Sequence, residues 1–253
     1  AKAMAEFTER LNTDTTLPLM IDSTKPEVIE NALQRIAGKT IINSVNLEDG
    51  GERLHKVLAL CKKYGAAVVA LTIDEQGMAK TAGRKLEIAR RLYGIINREF
   101  GLPPEDIFLD TLTFTLGSGD EELRNAARET LTAIREIKKE FPEVNTILGV
   151  SNISYGLKPT IRHRLNSVFL AHAIEAGLDA AILHAGKIIP LFKISSEERK
   201  LLEDLIFNRR TPSYDPLMAT INFYKGKDLE KESDEQEQLL PPETRLQHRI
   251  ING

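Results

Sequence analysis

Cysteine occurs once in the 253 residues, at Cys61. No internal disulfide can form, and a chain that relies on its core rather than on covalent staples suits a reducing cytoplasm. Long apolar runs are missing as well: none approaches the about 20 residues that a membrane-spanning helix needs. Residues 1–12 read as the later part of a charged, amphipathic helix rather than as a signal peptide. Neither sign of charge is in excess. Lys and Arg number 34 against 37 Asp and Glu, a formal net charge of -3, which argues against nucleic acid or an anionic membrane as the main partner.

Several chemical signatures are absent too. The five histidines and the cysteine never fall at metal-ligand spacing, so no zinc site is expected. Ser151 lies in no Gly-x-Ser-x-Gly elbow, the usual mark of a nucleophilic triad in an α/β hydrolase. No Gly-x-Gly-x-x-Gly turn follows a strand, and without it the dinucleotide-binding version of a doubly wound sheet loses its signal. Cys61 shares a helical face with Leu54, Val57 and Leu58, which predicts core packing rather than reactivity.

What the chain has instead is a repeat of strand, loop and helix. Short apolar runs at 17–21, 40–42, 66–73, 107–109, 146–150 and 179–183 are each followed by a polar tip and a helical pattern. Unbroken Val, Ile, Leu and Ala runs mark strands buried on both faces, and their alternation with helices implies a parallel sheet. Local punctuation agrees: Thr24 and Glu27 have capping-box spacing around Pro26, Ser195 and Glu198 repeat it, and Gly38, Gly101 and Gly177 stop helices.

The strand ends carry Asp22, Asn43, Asp74, Asp110, Asn152 and His184 in turn. A polar residue at the end of every strand suits a ring converging on one cavity, so an α/β fold of the (β/α)8 TIM barrel type is expected. Six units are found where such a barrel has eight, and the expectation is that the first two strands lie upstream of Ala1. The stretch Gly149–Gly156, Gly-Val-Ser-Asn-Ile-Ser-Tyr-Gly, is the least generic of the strand ends. Asn152 there is either a ligand contact or a cap on the following turn. Carboxylates and amides together suit a neutral heterocycle rich in donors and acceptors, because a carboxylate accepts two parallel N–H bonds and an amide both donates and accepts. The basic residues Arg84, Lys85, Arg90 and Arg91 read as an outer helical face.

These motifs carry a resemblance. Leu-Met-Ile-Asp-Ser-Thr at 19–24, Ile-Ile-Asn-Ser-Val at 41–45, Asp-Glu-Gln-Gly at 74–77, Phe-Leu-Asp at 108–110 and the 149–156 stretch resemble the pterin-binding barrel of methyltetrahydrofolate-dependent methyltransferases. Within that group the similarity is greatest to the cobalamin-dependent methionine synthases. The resemblance implies that Asp22, Asn43 and Asp110 hydrogen-bond a pterin ring, that Asn152 approaches N5, and that Ser151 and Arg162 belong to the same substrate site, Arg162 near the acidic tail or within its hydrogen-bond network. Asp74 and Glu75 are further candidates. It implies 5-methyltetrahydrofolate as substrate, cobalamin held mainly by a neighbouring module of the same polypeptide, and zinc only in a separate homocysteine module. Residues 1–210 would form the barrel from its third to its eighth strand, 211–240 a helix and acidic linker, and 241–253 the start of a helical cobalamin-binding cap. Corrinoid protein methyltransferases and dihydropteroate synthases are alternatives. The second must hold a pyrophosphate leaving group, for which no Gly-rich cradle is seen. A partial folate-binding or interdomain segment without activity is the non-enzyme alternative.

Overall fold

The computed structural model describes residues 2–226. The acidic segment 227–238 and the expected cap at 241–253 lie outside the described residues. The described residues divide into two compact units, one made of 2–113, 129–149 and 173–181, the other of 114–128, 150–172 and 182–226.

The first unit is built on the expected strands. Helix α1 (Lys2–Asp14) precedes β1 (Leu19–Asp22), α2 (Pro26–Leu33), β2 (Thr40–Val45), α3 (Glu52–Tyr64) and β3 (Ala67–Leu71). A hairpin of β4 (Ile73–Asp74) and β5 (Gly77–Met78) follows, then α4 (Ala82–Tyr93), β6 (Ile107–Asp110), α5 (Ala126–Glu140) and β7 (Asn145–Gly149). Helix α6 (Pro159–Ala176) leads to β8 (Ala180–Ile182). The strands form one sheet in the order β1-β2-β3-β6-β7-β8, with parallel pairing from β1 through β7. Parallel strands need a crossover between them, and the helices supply it.

Burial explains why the strands read as continuous apolar runs. Ile42, Val68, Ala70 and Leu109 are fully buried, as are Ile29, Leu54, Leu58, Ile88 and Leu92 on the helices around them. Each such side chain contributes about 1.5–3 kcal/mol relative to exposure. Cys61 is inside this core, and burial pushes its thiol up to about 12. One local expectation fails. Helix α2 is not capped by Thr24: its N-cap is Lys25, with extended backbone and no side-chain cap, and Pro26 opens the first turn. Proline has no N–H and holds the residue before it out of the helical region, so the helix starts one residue later than the capping-box spacing suggests.

In the second unit, α7 (Ser196–Ile206) and α8 (Pro216–Phe223) pack together. Ser195 Oγ accepts from Glu198 N at 3.2 Å and Asp215 Oδ1 accepts from Leu217 N at 2.9 Å, so both helices start on side-chain caps. Glu198 is buried between Arg164 Nε, 2.6 Å away, and the Tyr224 hydroxyl. No helix among the described residues is long and apolar enough to cross a membrane.

Candidate functional site

Parallel strands deliver their last side chains to a common edge, and in the first unit that edge carries Asp22, Asn43 and Asp110. Asp22 and Asn43 are Cα partners on adjacent strands, and Asn43 Nδ2 donates to Asp22 Oδ2 at 3.2 Å. Beyond Asn43 the pairing of β2 with β3 shifts register by one residue. In this turn Ser23 Oγ, not Asp22, accepts the Lys25 N–H, and among the described residues Asp22 accepts no backbone N–H.

Asp110 is 7% exposed, and burial lifts its carboxyl from 3.8 to about 6. Its Oδ1 accepts the Leu112 N–H at 2.7 Å. Leu112 stands at φ 59, the left-handed region, which costs a branched residue about 1–2 kcal/mol. On either side of it in the sequence, the hydroxyls of Thr111 and Thr113 are buried with no hydrogen-bond partner among the described residues. A buried hydroxyl left in that state costs about 1–3 kcal/mol.

Asp74 differs in kind. It is 1% exposed, its Oδ2 is bound by Arg84 and by Arg91 Nη1 at 3.0 Å, and its Oδ1 accepts from Gln76 N at 3.1 Å. Glu75 pairs with Arg91 at 2.9 Å, and that bond holds its carboxyl below the usual range. The two carboxylates tie the hairpin to α4. Arg84 and Arg91 therefore face the hairpin rather than forming a free outer surface, and Lys85 departs furthest from that expectation, being completely buried. The signal was present in the sequence, since Lys85, Ile88, Ala89 and Leu92 form one i, i+3, i+4, i+7 stripe.

In the second unit, Val150–Ser154 is a tight turn after β7. The Asn152 side chain is exposed and makes no hydrogen bond to the described residues, so it does not cap the turn; the turn closes through Tyr155 N on Asn152 O at 3.2 Å. Neighbouring backbone clamps it: Leu116 N donates to Ile153 O at 2.9 Å and Thr115 Oγ1 to Tyr155 O at 2.6 Å. This approach requires a glycine at 117, where a Cβ would lie 2.6 Å from Tyr155 O. Ser151 and Arg162 come together, Arg162 Nη2 reaching Ser151 O at 3.4 Å and Nε reaching Ser154 Oγ at 3.2 Å. Both line a cavity of about 290 Å³ with His163, Asn166, His184 and Lys187, and no carboxylate is in its wall. Such a lining suits an acidic group.

Residues 1–184 match the family described as pterin binding enzyme. The chain is 46% identical over 258 residues to methionine synthase of Mycobacterium tuberculosis, covering 99% of this chain and 22% of that protein. Against methionine synthase of Mycobacterium leprae it is 47% identical over 256 residues, covering 99% and 21%. The chain thus spans about a fifth of the length of these relatives. Among solved structures, dihydropteroate synthase of Yersinia pestis superposes with a TM-score of 0.53 at 16% identity, covering 79% of this chain and 76% of that one. The Stenotrophomonas maltophilia enzyme gives 0.52 at 16%, covering 72% and 69%. Identity this low speaks for the fold alone.

Proposed function

The chain belongs to the pterin binding enzymes, and on that premise we propose that it binds 5-methyltetrahydrofolate and presents its methyl group to cob(I)alamin, as one module of a cytoplasmic methionine synthase. The observation that carries this reading is the polar edge of the parallel sheet, Asp22 with Asn43 in register and Asp110 buried beside two partnerless hydroxyls, in a chain that aligns along 99% of its length with methionine synthases.

Asp22 and Asp110 accept N–H bonds from the amino-pyrimidinone edge of the pterin, and Asn43, already donating to Asp22, presents its carbonyl to a ring N–H. Arg162, with Ser151, lines a cavity of the second unit whose described lining holds no carboxylate, chemistry that suits an acidic tail. Asn152 belongs to the turn after β7, and its role toward N5 rests on the motif it shares with the family. As the methyl C–N bond breaks, the electron pair stays on nitrogen, and a tertiary amine leaves only if N5 gains a hydrogen bond and then a proton. The Asn152 amide donates that bond with a strength that grows as charge develops, which lowers the barrier rather than the ground state. An amide is no acid at neutral pH, so the proton itself arrives through water or an acid elsewhere. Cobalamin supplies the nucleophile that accepts the methyl group. No described residue is assigned to the corrin, because the segment resembling the cap lies outside the described residues.

Titration with 5-methyltetrahydrofolate, followed by single-turnover transfer of a labelled methyl group to added cob(I)alamin, tests the reading. A dissociation constant weaker than about 1 mM would end it.

A further inference from the structure

We infer that Lys85 is the positioning residue for Asp110: its ammonium group, sealed beneath the end of β6, is the counter-charge that keeps the Asp110 carboxylate ionised and locks the turn that presents it. The inference rests on the pterin role proposed for Asp110.

Lys85 is the largest of the fully buried side chains, in a helical stripe that otherwise holds Ile88, Ala89 and Leu92. A lysine in such a place is tolerated only where the surroundings answer its charge. Its Nζ donates to the carbonyl of Thr111, to that of Leu112 at 3.1 Å and to Thr130 Oγ1 at 3.4 Å. The two carbonyls belong to the residues directly after Asp110, and Thr130 Oγ1 donates in turn to Leu112 O at 2.8 Å. Leu112 is therefore held from both ends, its N–H by Asp110 and its carbonyl by Lys85 and Thr130, which explains how it keeps a left-handed backbone.

Asp110 and Glu129 both act on Lys85, and Glu129 Oε2 is occupied by the Ala82 N–H at 2.6 Å, at the start of α4. Strands β3 and β7 place Leu71 and Ile147 beside Asp110, neither of them charged. Burial pulls Lys85 down to about 7 and pushes Asp110 up to about 6, while the attraction between them works against both changes. A neutral donor could satisfy the carbonyls equally well, so the positive charge has its use toward the Asp110 carboxylate, which holds the other end of the same residue, Leu112.

The test is Lys85→Gln, which keeps an N–H donor without the charge, beside Lys85→Met, which removes both. Carboxyl ¹³C resonances of the 253-residue chain, with the Asp110 signal assigned through Asp110→Asn, report the carboxylate directly and need no folate. In both Lys85 variants the Asp110 midpoint should rise by about one unit or more, a tenfold shift in its ionisation equilibrium. Affinity for 5-methyltetrahydrofolate should fall about twofold at pH 7 and about fivefold at pH 6, and recover as the pH is raised. Reciprocally, Asp110→Asn should lower the Lys85 midpoint in ¹³Cε-lysine spectra, a measurement that stands even if neither Lys85 variant folds. Unmoved midpoints, or an affinity loss equal at every pH, would overturn the inference and leave Lys85 a packing residue. If the midpoints move as stated but folate affinity ignores the Asp110 titration, the pairing stands and the pterin contact of Asp110 fails.

Discussion

Asn43 donates its side-chain amide to Asp22 Oδ2 at 3.2 Å across two parallel strands whose Cα atoms are in register at these residues. The bond orients both groups: Asp22 keeps an oxygen for another donor, and the Asn43 carbonyl is turned the other way. Replacing Asn43 with Ala should therefore weaken 5-methyltetrahydrofolate binding by about tenfold or more, the worth of one hydrogen bond plus the lost orientation of Asp22. Because the pair is half exposed, the melting temperature should hardly change. Fluorescence titration beside a thermal melt separates the two effects.

For Asn152 the expected signature is kinetic. Asn152→Ala should lower the single-turnover rate of methyl transfer by about 10²-fold or more, as loss of an oxyanion-hole donor does, while folate affinity changes little. An unchanged rate would remove Asn152 from the chemistry.

Asp74 serves as a contrast. Asp74 is buried and bound by two arginines, so Asp74→Ala removes one partner from each of Arg84 and Arg91, which keep Glu87 and Glu75, and should cost about 1.5–3 kcal/mol of stability in urea denaturation. Folate affinity per folded molecule should stay near the wild-type value. A selective loss of affinity at unchanged stability would instead place Asp74 in the pterin site.

The Asp110 carboxyl, near 6 because burial disfavours its charge, gives two pH dependences of opposite sign. Folate affinity should drop as the pH falls through about 6, since the neutral acid cannot accept two parallel N–H bonds. Stability goes the other way: between 3.8 and about 6 the folded chain holds a proton that the unfolded chain has released, so this group stabilises below that window and its contribution is lost as the pH rises through it. Calorimetric binding and denaturation over the same pH series check both.

Gly117→Val should disturb the turn that carries Asn152. Its Cβ would meet the Tyr155 carbonyl at 2.6 Å and Leu157 Cγ at 2.8 Å, and backbone cannot yield cheaply. A loss of about 1–3 kcal/mol is expected, with the methyl-transfer rate reduced as well. Gly50→Ala, at a glycine with φ 72 and no neighbour within 4 Å, is the control for strain without collision.

By itself the sequence determined the order of strands and helices, because apolar runs bounded by polar tips state the period of a parallel α/β fold directly. It also set Asp22, Asn43 and Asp110 at strand ends, since the chain turns where the apolar run stops. Tertiary structure decided what each polar group faces. Thr24 and Glu27 carried the right spacing for a cap, yet Pro26 moved the helix start. Asp74 and Asp110 end neighbouring apolar runs and look alike on paper. One is neutralised by arginines of α4, 10 and 17 positions away, whereas the other sits close in sequence to unsatisfied hydroxyls and near a buried lysine 25 positions away. Lys85 was concealed among basic neighbours because charge composition is local, while its burial follows from the helical stripe and from carbonyls that only the folded chain brings to it.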